Sequence, residues 1–137
     1  MADTPLTIPA IANDRRGDTH RQLLVGAARF KALFNAVPIP IYLWQSDGTQ
    51  LRLSDYNPAA HEFTTGRIST LIGRTLLDIH QSSPALIDHM MQCFETGRNI
   101  RETMDHTLVS TGETVRLDVT YVFFPPAGVA VITIPLR

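Results

Sequence analysis

Few side chains of this sequence stand in the order or spacing that catalysis requires. The pair His61-Glu62 begins like a zinc-binding helix, but the second histidine of that motif is missing. No Ser-His-Asp order, metal-binding pair or phosphate-binding loop occurs. The alternation of polar and apolar residues places one candidate carboxylate, that of Asp118, near a core strand, but on the polar face of that strand. We therefore predict no enzyme and no metal site. The enzymatic alternative is a small cone-shaped α+β fold, which would need a carboxylate in an apolar pocket.

Cys93 is the only cysteine, so the chain can form neither an internal disulfide nor a cysteine-based metal site. It borders the apolar side of a predicted helix. Free cysteines in such positions pack like small apolar side chains. We predict a buried, structural thiol.

Several aromatic side chains could place polar tips inside a mostly apolar cavity, as ligand sites require. The alternative is that each is an ordinary core residue. Arg116 could meet an anionic ligand, but its side of the strand is predicted to face solvent. The predicted cavity residues are Trp44, Tyr56, Leu86, His89, Met90, Phe94 and Tyr121.

The composition is that of one soluble globular domain. The chain has 137 residues, of which 44% are hydrophobic and 18% charged. Its 12 basic and 13 acidic residues give a net charge of -1, which does not favour binding to nucleic acid or to a membrane surface. The start of the chain lacks the pattern of a signal peptide, and no apolar run reaches the ~20 residues of a bilayer span. We predict a cytoplasmic location.

The chain opens with residues 1–17, which have no clear periodicity and are predicted to form a flexible tail. Residues 18–37 are predicted to form an amphipathic helix, which Asp18 or Thr19 could cap and Pro38 would end. One row of this helix carries Leu23, Ala27, Phe30 and Phe34. Two interpretations are open: the row packs on its own domain, or it pairs with a second copy of the chain.

The stretch from Ile39 to Ala60 is predicted to form strand, turn, strand and helix start. Asp47-Gly48 is a hairpin signal, because glycine takes positive φ without steric cost. Asn57-Pro58 is a helix start, because asparagine caps free N–H groups and proline suits the first helical position. The first strand, Ile39–Gln45, is apolar on both faces, which predicts a central position in a sheet.

A longer helix is predicted from Pro84 to Gly97, with Ser83 as its cap. From Arg98 the apolar pattern changes to a period of two, which predicts three more strands. The last of them, Val129–Ile134, is nearly continuously apolar and is predicted to be central. This order of elements predicts an α+β fold with an antiparallel sheet.

The order of these elements, and of the residues between them, resembles that of PAS domains over about residues 29–136. The matching segments are Arg29–Pro38, Asp47-Gly48, Asn57–Ala60, Thr65-Gly66, Ile72-Gly73, Glu95–Gly97 and Ser110–Glu113. The resemblance implies a five-stranded sheet in the order 2-1-5-4-3, with helices on one face and an N-terminal helix. It also implies a cavity between helices and sheet, within a PAS core at residues 38–137.

The same resemblance implies a sensory or regulatory module of bacterial-type signal transduction, as in two-component systems. PAS modules sense a small ligand, light or redox state, or mediate dimerisation. They commonly control an output domain such as a histidine kinase or diguanylate cyclase. We therefore expect a homodimer, a small-molecule ligand and a downstream output domain. The sequence stops at Arg137 without the linker typical of the family, so we expect a fragment of a larger sensor in preference to a solitary module.

Two subsets of the family suggest cofactors. Haem-binding PAS domains resemble Pro84–His89, which makes His89 a candidate iron ligand, because a neutral imidazole suits haem iron. His80 is a weaker candidate, and the alternative for His89 is an exposed position at the edge of the apolar side of its helix. Flavin-binding photoreceptors carry a reactive cysteine in an Asn-Cys-Arg-Phe-Leu motif, and Gly97–Arg101 has Ile100 in its place. We predict no cofactor, with haem as the alternative and flavin disfavoured.

Overall fold

The computed structural model describes residues 8–107 and 112–136. One compact unit ends at Asn35, and a second begins at Ala36. The helices are α1 (Ile8–Ala36), α2 (Pro58–Phe63), α3 (Leu76–His80) and α4 (Pro84–Thr96), with a 3-10 helix at Arg67–Thr70. The strands are β1 (Ile41–Ser46), β2 (Leu51–Tyr56), β3 (Ile100–Thr107), β4 (Thr114–Phe124) and β5 (Gly128–Leu136).

The second unit is built on one antiparallel sheet in the order β2-β1-β5-β4-β3. The predicted fold class and strand order are therefore confirmed. β5 lies at the centre, with Val129 paired to Trp44 of β1 and to Phe123 of β4. Both strands that were predicted to be central, β1 and β5, pair with a neighbouring strand along each edge.

The core fills the space between the sheet and the helices. Its buried members include Trp44, Leu53, Met90 and Tyr121. Cys93 of α4 is completely buried among them, and burial raises the pKa of its thiol. The prediction of a buried thiol is therefore confirmed.

Asn57 joins the start of α2 to the start of β1, and it is completely buried. Its Oδ1 accepts hydrogen bonds from the backbone N–H groups of Ala60 and Ile41, both at 3.0 Å. Its Nδ2 donates to the carbonyl oxygen of Ile39 at 2.9 Å. The predicted helix start at Asn57-Pro58 is confirmed, and the cap also holds a strand in place.

Helix α1 begins at Ile8, so the predicted start at Asp18 is wrong, and residues 8–17 are helical where a flexible tail was expected. The prediction relied on apolar periodicity, which a helix does not require. Pro9 is compatible with the early start because the first turn of a helix needs no N–H donor from it. Among the described residues, no helix combines the length and apolar character that crossing a bilayer would need.

Two smaller details also differ. β1 begins at Ile41 and not at Ile39, because Pro40 has no N–H to donate to a neighbouring strand. α4 begins at Pro84 as predicted, but the Ser83 side chain makes no capping hydrogen bond. The first half of the predicted turn at Ser110–Glu113, Ser110-Thr111, lies outside the described residues.

Candidate ligand cavity

A cavity of about 590 Å³ lies in the second unit, between the sheet and the segment that runs from α2 to the start of α4. Small-molecule sites typically have volumes of about 300–1,000 Å³. We call its buried lining the floor, which is formed by Ile68, Leu86, Leu117, Val119, Val131 and Thr133. We call its exposed charged lining the rim, which is formed by Arg67, Arg74, Asp78 and Asp105.

The floor contains one polar side chain, Thr133 of β5, which is only 7% exposed. Its Oγ1 makes no well-aligned hydrogen bond with any described residue. Burial raises the pKa of nearby Tyr42 to about 12, and a weak interaction with Thr133 opposes this rise. The Thr133 Oγ1 atom is itself buried, so it offers no surface to a molecule in the cavity.

Two imidazoles line the same cavity, His80 at the end of α3 and His106 on β3. Burial lowers the pKa of His80 to about 4, and the nearby His106 adds to this effect. Burial also lowers the pKa of His106. The His80 ring packs against Trp44, with 5.9 Å between ring centroids. A neutral imidazole can donate one hydrogen bond and accept another.

Some charged side chains of the rim form no ion pair with any described residue. Neither Arg67 nor Arg74 forms an ion pair with a described residue. Asp105 is paired with Arg116 at 3.2 Å, whereas the Asp78 carboxylate has no described partner. Within the described part of the chain, the rim therefore has two guanidinium groups and one carboxylate that form no ion pair.

Solved structures of similar architecture match most of the chain. The PAS domain of an HTR-like protein from Haloarcula marismortui is 15% identical and has a TM-score of 0.63 over 88% of this chain and 99% of that one. A domain of a sensory box sensor histidine kinase/response regulator from Geobacter sulfurreducens is 15% identical and has a TM-score of 0.61 over 81% and 95%. The fold is that of a PAS domain.

An RNA-binding Light-Oxygen-Voltage receptor shares the PAS fold, with 10% identity and a TM-score of 0.66 over 80% of this chain. This chain spans only 32% of that receptor. No protein-family model and no curated protein matches the sequence. Identities this low establish the PAS fold alone, so the chemistry of the site has to be argued from this chain's own residues.

Of the seven predicted cavity residues, the structure places only Leu86 in the cavity lining. Trp44, Met90 and Tyr121 are buried in the core, and Tyr56 and Phe94 pack against it. Sequence reasoning missed the lining residues Tyr42, Arg67, Arg74, His106 and Thr133. Arg116 is exposed and paired, as expected for the solvent side of its strand.

His89 does not line the cavity of this PAS fold. Its Nδ1 lies 3.0 Å from Oε1 of Glu102, although the ring N–H is poorly aligned for a hydrogen bond. The hydroxyl of buried Tyr121 donates to the other carboxylate oxygen of Glu102. Burial, followed by this hydrogen bond, raises the pKa of Tyr121. These contacts cross-link α4 to the sheet and give no support to haem ligation by His89.

The cavity lining gives no support to covalent flavin binding either. The only cysteine, Cys93, is buried in the core and does not border the cavity. Ile100, which stands in place of the photoreceptor cysteine, begins β3 and is paired with Tyr121 of β4. A covalent flavin adduct therefore has no thiol in the described lining.

The predicted dimer row of α1 is exposed except at one position. Leu23 is 68% exposed and Phe30 41%, and Ala27 is exposed as well. Phe34 is only 4% exposed, and its ring stacks on Phe30 with 5.6 Å between centroids. A partner could therefore reach Leu23, Ala27 and Phe30 but not the Phe34 side chain.

We expect acid to destabilise the fold through His80. Its folded-state pKa of about 4 lies below the ordinary 6.5, so the unfolded chain binds more protons between these values. The stabilisation is complete above pH 6.5 and is lost as the pH falls towards 4. Between pH 7 and pH 5, the loss of this stabilisation lowers the free energy of unfolding by about 2 kcal/mol.

Urea unfolding of the wild type and of His80→Gln at both pH values measures this contribution. The variant should lose about 2 kcal/mol less than the wild type on acidification. An equal loss in both proteins would show that His80 is not held neutral in the folded state.

Proposed function

We propose that this chain is a sensory or regulatory PAS module of a bacterial-type signalling protein, which takes a small ligand in the cavity and controls an output domain. One observation carries the proposal: a cavity of about 590 Å³ that is bordered by the buried apolar side chains of Leu86, Leu117 and Val131. Protein interiors normally close such spaces, because side chains pack about as densely as organic crystals. A ligand would fill the space.

An output domain of the histidine kinase type is supported by the match to the Geobacter sensor kinase domain. A diguanylate cyclase is the second candidate, from the resemblance of the sequence to PAS modules in general. PAS modules are typically non-catalytic, and we propose no catalytic role for any residue of this chain.

Methyl NMR spectra of the protein, recorded with a library of small apolar and amphipathic compounds, test the ligand site. We expect binders to shift the methyl signals of Leu86, Leu117 and Val131 on the floor. The methyl signals of Val25 and Leu33, which are exposed on α1 and lie outside the row proposed below as a dimer interface, are the internal control and should not move. A library in which no compound selectively shifts floor methyls would contradict the proposal.

We also propose that the module dimerises through the row Leu23, Ala27 and Phe30 of α1. Two exposed large apolar side chains in one helical row are typical of an interaction surface. The double variant Leu23→Glu/Phe30→Glu should be a folded monomer in light scattering, because charge would be buried at the contact. Val25→Glu is the matched control, since Val25 is 49% exposed on another side of the helix, and it should stay dimeric. A dimeric double variant would remove this interface.

A further inference from the structure

The rim and the floor of the cavity select different chemical groups. At the rim, two guanidinium groups, those of Arg67 and Arg74, and one carboxylate, that of Asp78, form no ion pair with any residue that the structure describes. Arginine binds carboxylates preferentially, because its planar fork of N–H donors matches the two oxygens. The rim is therefore better suited to an anionic ligand group than to a cationic one.

The floor excludes charge. Leu86, Leu117, Val119 and Val131 present apolar side chains that are at most 9% exposed. Placing a charge against them would require desolvation without compensation. The Thr133 hydroxyl is the single polar group of the floor, and its Oγ1 is itself buried, so an apolar ligand body fits the floor.

We propose that the ligand of this cavity is a small amphipathic monocarboxylate. Its carboxylate binds Arg67 and Arg74 at the rim, and its apolar body lies on the floor. This inference rests on the proposed ligand-binding function and adds the chemical class of the ligand.

The first test uses matched pairs of probes that differ only in charge or in the charged group. Anilinonaphthalene sulfonate and N-phenyl-1-naphthylamine share an aromatic body, and only the first carries an anion. Trp44 is the only tryptophan and packs on the lining residue His80, so energy transfer from Trp44 reports a bound probe, and the rim variants described below locate it. We expect the sulfonate to bind about tenfold more tightly than the neutral amine, because the amine cannot form the charge-assisted hydrogen bonds with the rim arginines. Octanoate should displace the bound sulfonate, whereas 1-octanol at the same concentration should not.

The second test assigns the anion to the rim. Arg67→Gln and Arg74→Gln should each weaken sulfonate binding about tenfold, because each removes a charge-assisted hydrogen bond. Arg98→Gln is the matched control: Arg98 is an exposed arginine after α4 that does not line the cavity, and its loss should leave binding unchanged. All three arginines are exposed, so circular dichroism should show folded variants.

Two results would overturn the inference while leaving the ligand site intact. One is binding of the neutral amine or 1-octanol as tight as that of its anionic counterpart. The other is wild-type affinity for the sulfonate in both rim variants. If none of the four compounds bound, the proposed ligand-binding function would fail together with the inference.

Discussion

Replacing Asn57 with alanine should lower the free energy of unfolding by about 4 kcal/mol, combining a lost helix cap of about 1 kcal/mol with buried groups left unpaired at about 1–3 kcal/mol each. The side chain is completely buried. It accepts hydrogen bonds from the N–H groups of Ala60 and Ile41 and donates one to the carbonyl oxygen of Ile39. Alanine leaves all three without this partner, at the junction of α2 and β1.

Urea unfolding followed by Trp44 fluorescence measures the Asn57→Ala effect. Asn99→Ala is the matched control, because Asn99 is exposed, and the free energy of unfolding should change by less than about 0.5 kcal/mol. A loss below about 1 kcal/mol in Asn57→Ala would mean that the junction does not depend on this side chain.

Gly128→Ala should cost about 3 kcal/mol, at the upper end of the usual cost of overpacking. An added Cβ at this position would overlap the carbonyl oxygen of Trp44 and lie 3.3 Å from that of Phe124. Both atoms belong to backbone of the neighbouring strands, which cannot rotate away as a side chain would. The start of β5 would have to separate from β1, at the centre of the sheet.

The same substitution at Gly26 supplies the control for Gly128→Ala. A Cβ at Gly26 would meet nothing within 4 Å, and the residue lies inside α1. Alanine should therefore raise helicity in circular dichroism, because it favours a helix over glycine by about 1 kcal/mol. A Gly128→Ala protein as stable as the wild type would show that the two strands can separate locally at little cost.

The sheet could be predicted because its central strands have a distinct composition. β1 and β5 are apolar on both faces, and only strands covered on both sides tolerate that. Asn57-Pro58 and Gly97 marked helix ends through local backbone chemistry, which does not depend on the rest of the fold. These features are decided within a few residues of sequence.

The cavity lining could not be predicted in the same way, because it depends on where the helices leave a gap. Tyr42 and Trp44 point to the same side of β1, yet Tyr42 lines the cavity and Trp44 is a core residue. The alternation of side chains along a strand predicts which side of the sheet a residue faces, but it does not predict which element packs over that side. Likewise, His80 and His106 are distant in sequence, and only the packing of α3 over the sheet brings both to one cavity.

The early start of α1 also escaped prediction. Periodicity detects a helix only where one side is apolar, and the segment from Ile8 to Gly17 lacks such a pattern. The burial of Phe34 is similar, because it occupies the same helical row as Leu23 and Phe30 but differs from them in exposure. A row in the sequence indicates one side of a helix, whereas the structure decides which members remain accessible.

The central claim, that the cavity holds a ligand, is tested most directly by native mass spectrometry of protein mixed with the small-molecule fraction of a bacterial extract. The comparison is with Val131→Phe, which fills the floor, and with Val25→Phe, the same change on exposed α1. We predict one added mass per protomer in the wild type and in Val25→Phe, and none in a folded Val131→Phe. No added mass in the wild type, or the same added mass in all three proteins, would contradict the claim.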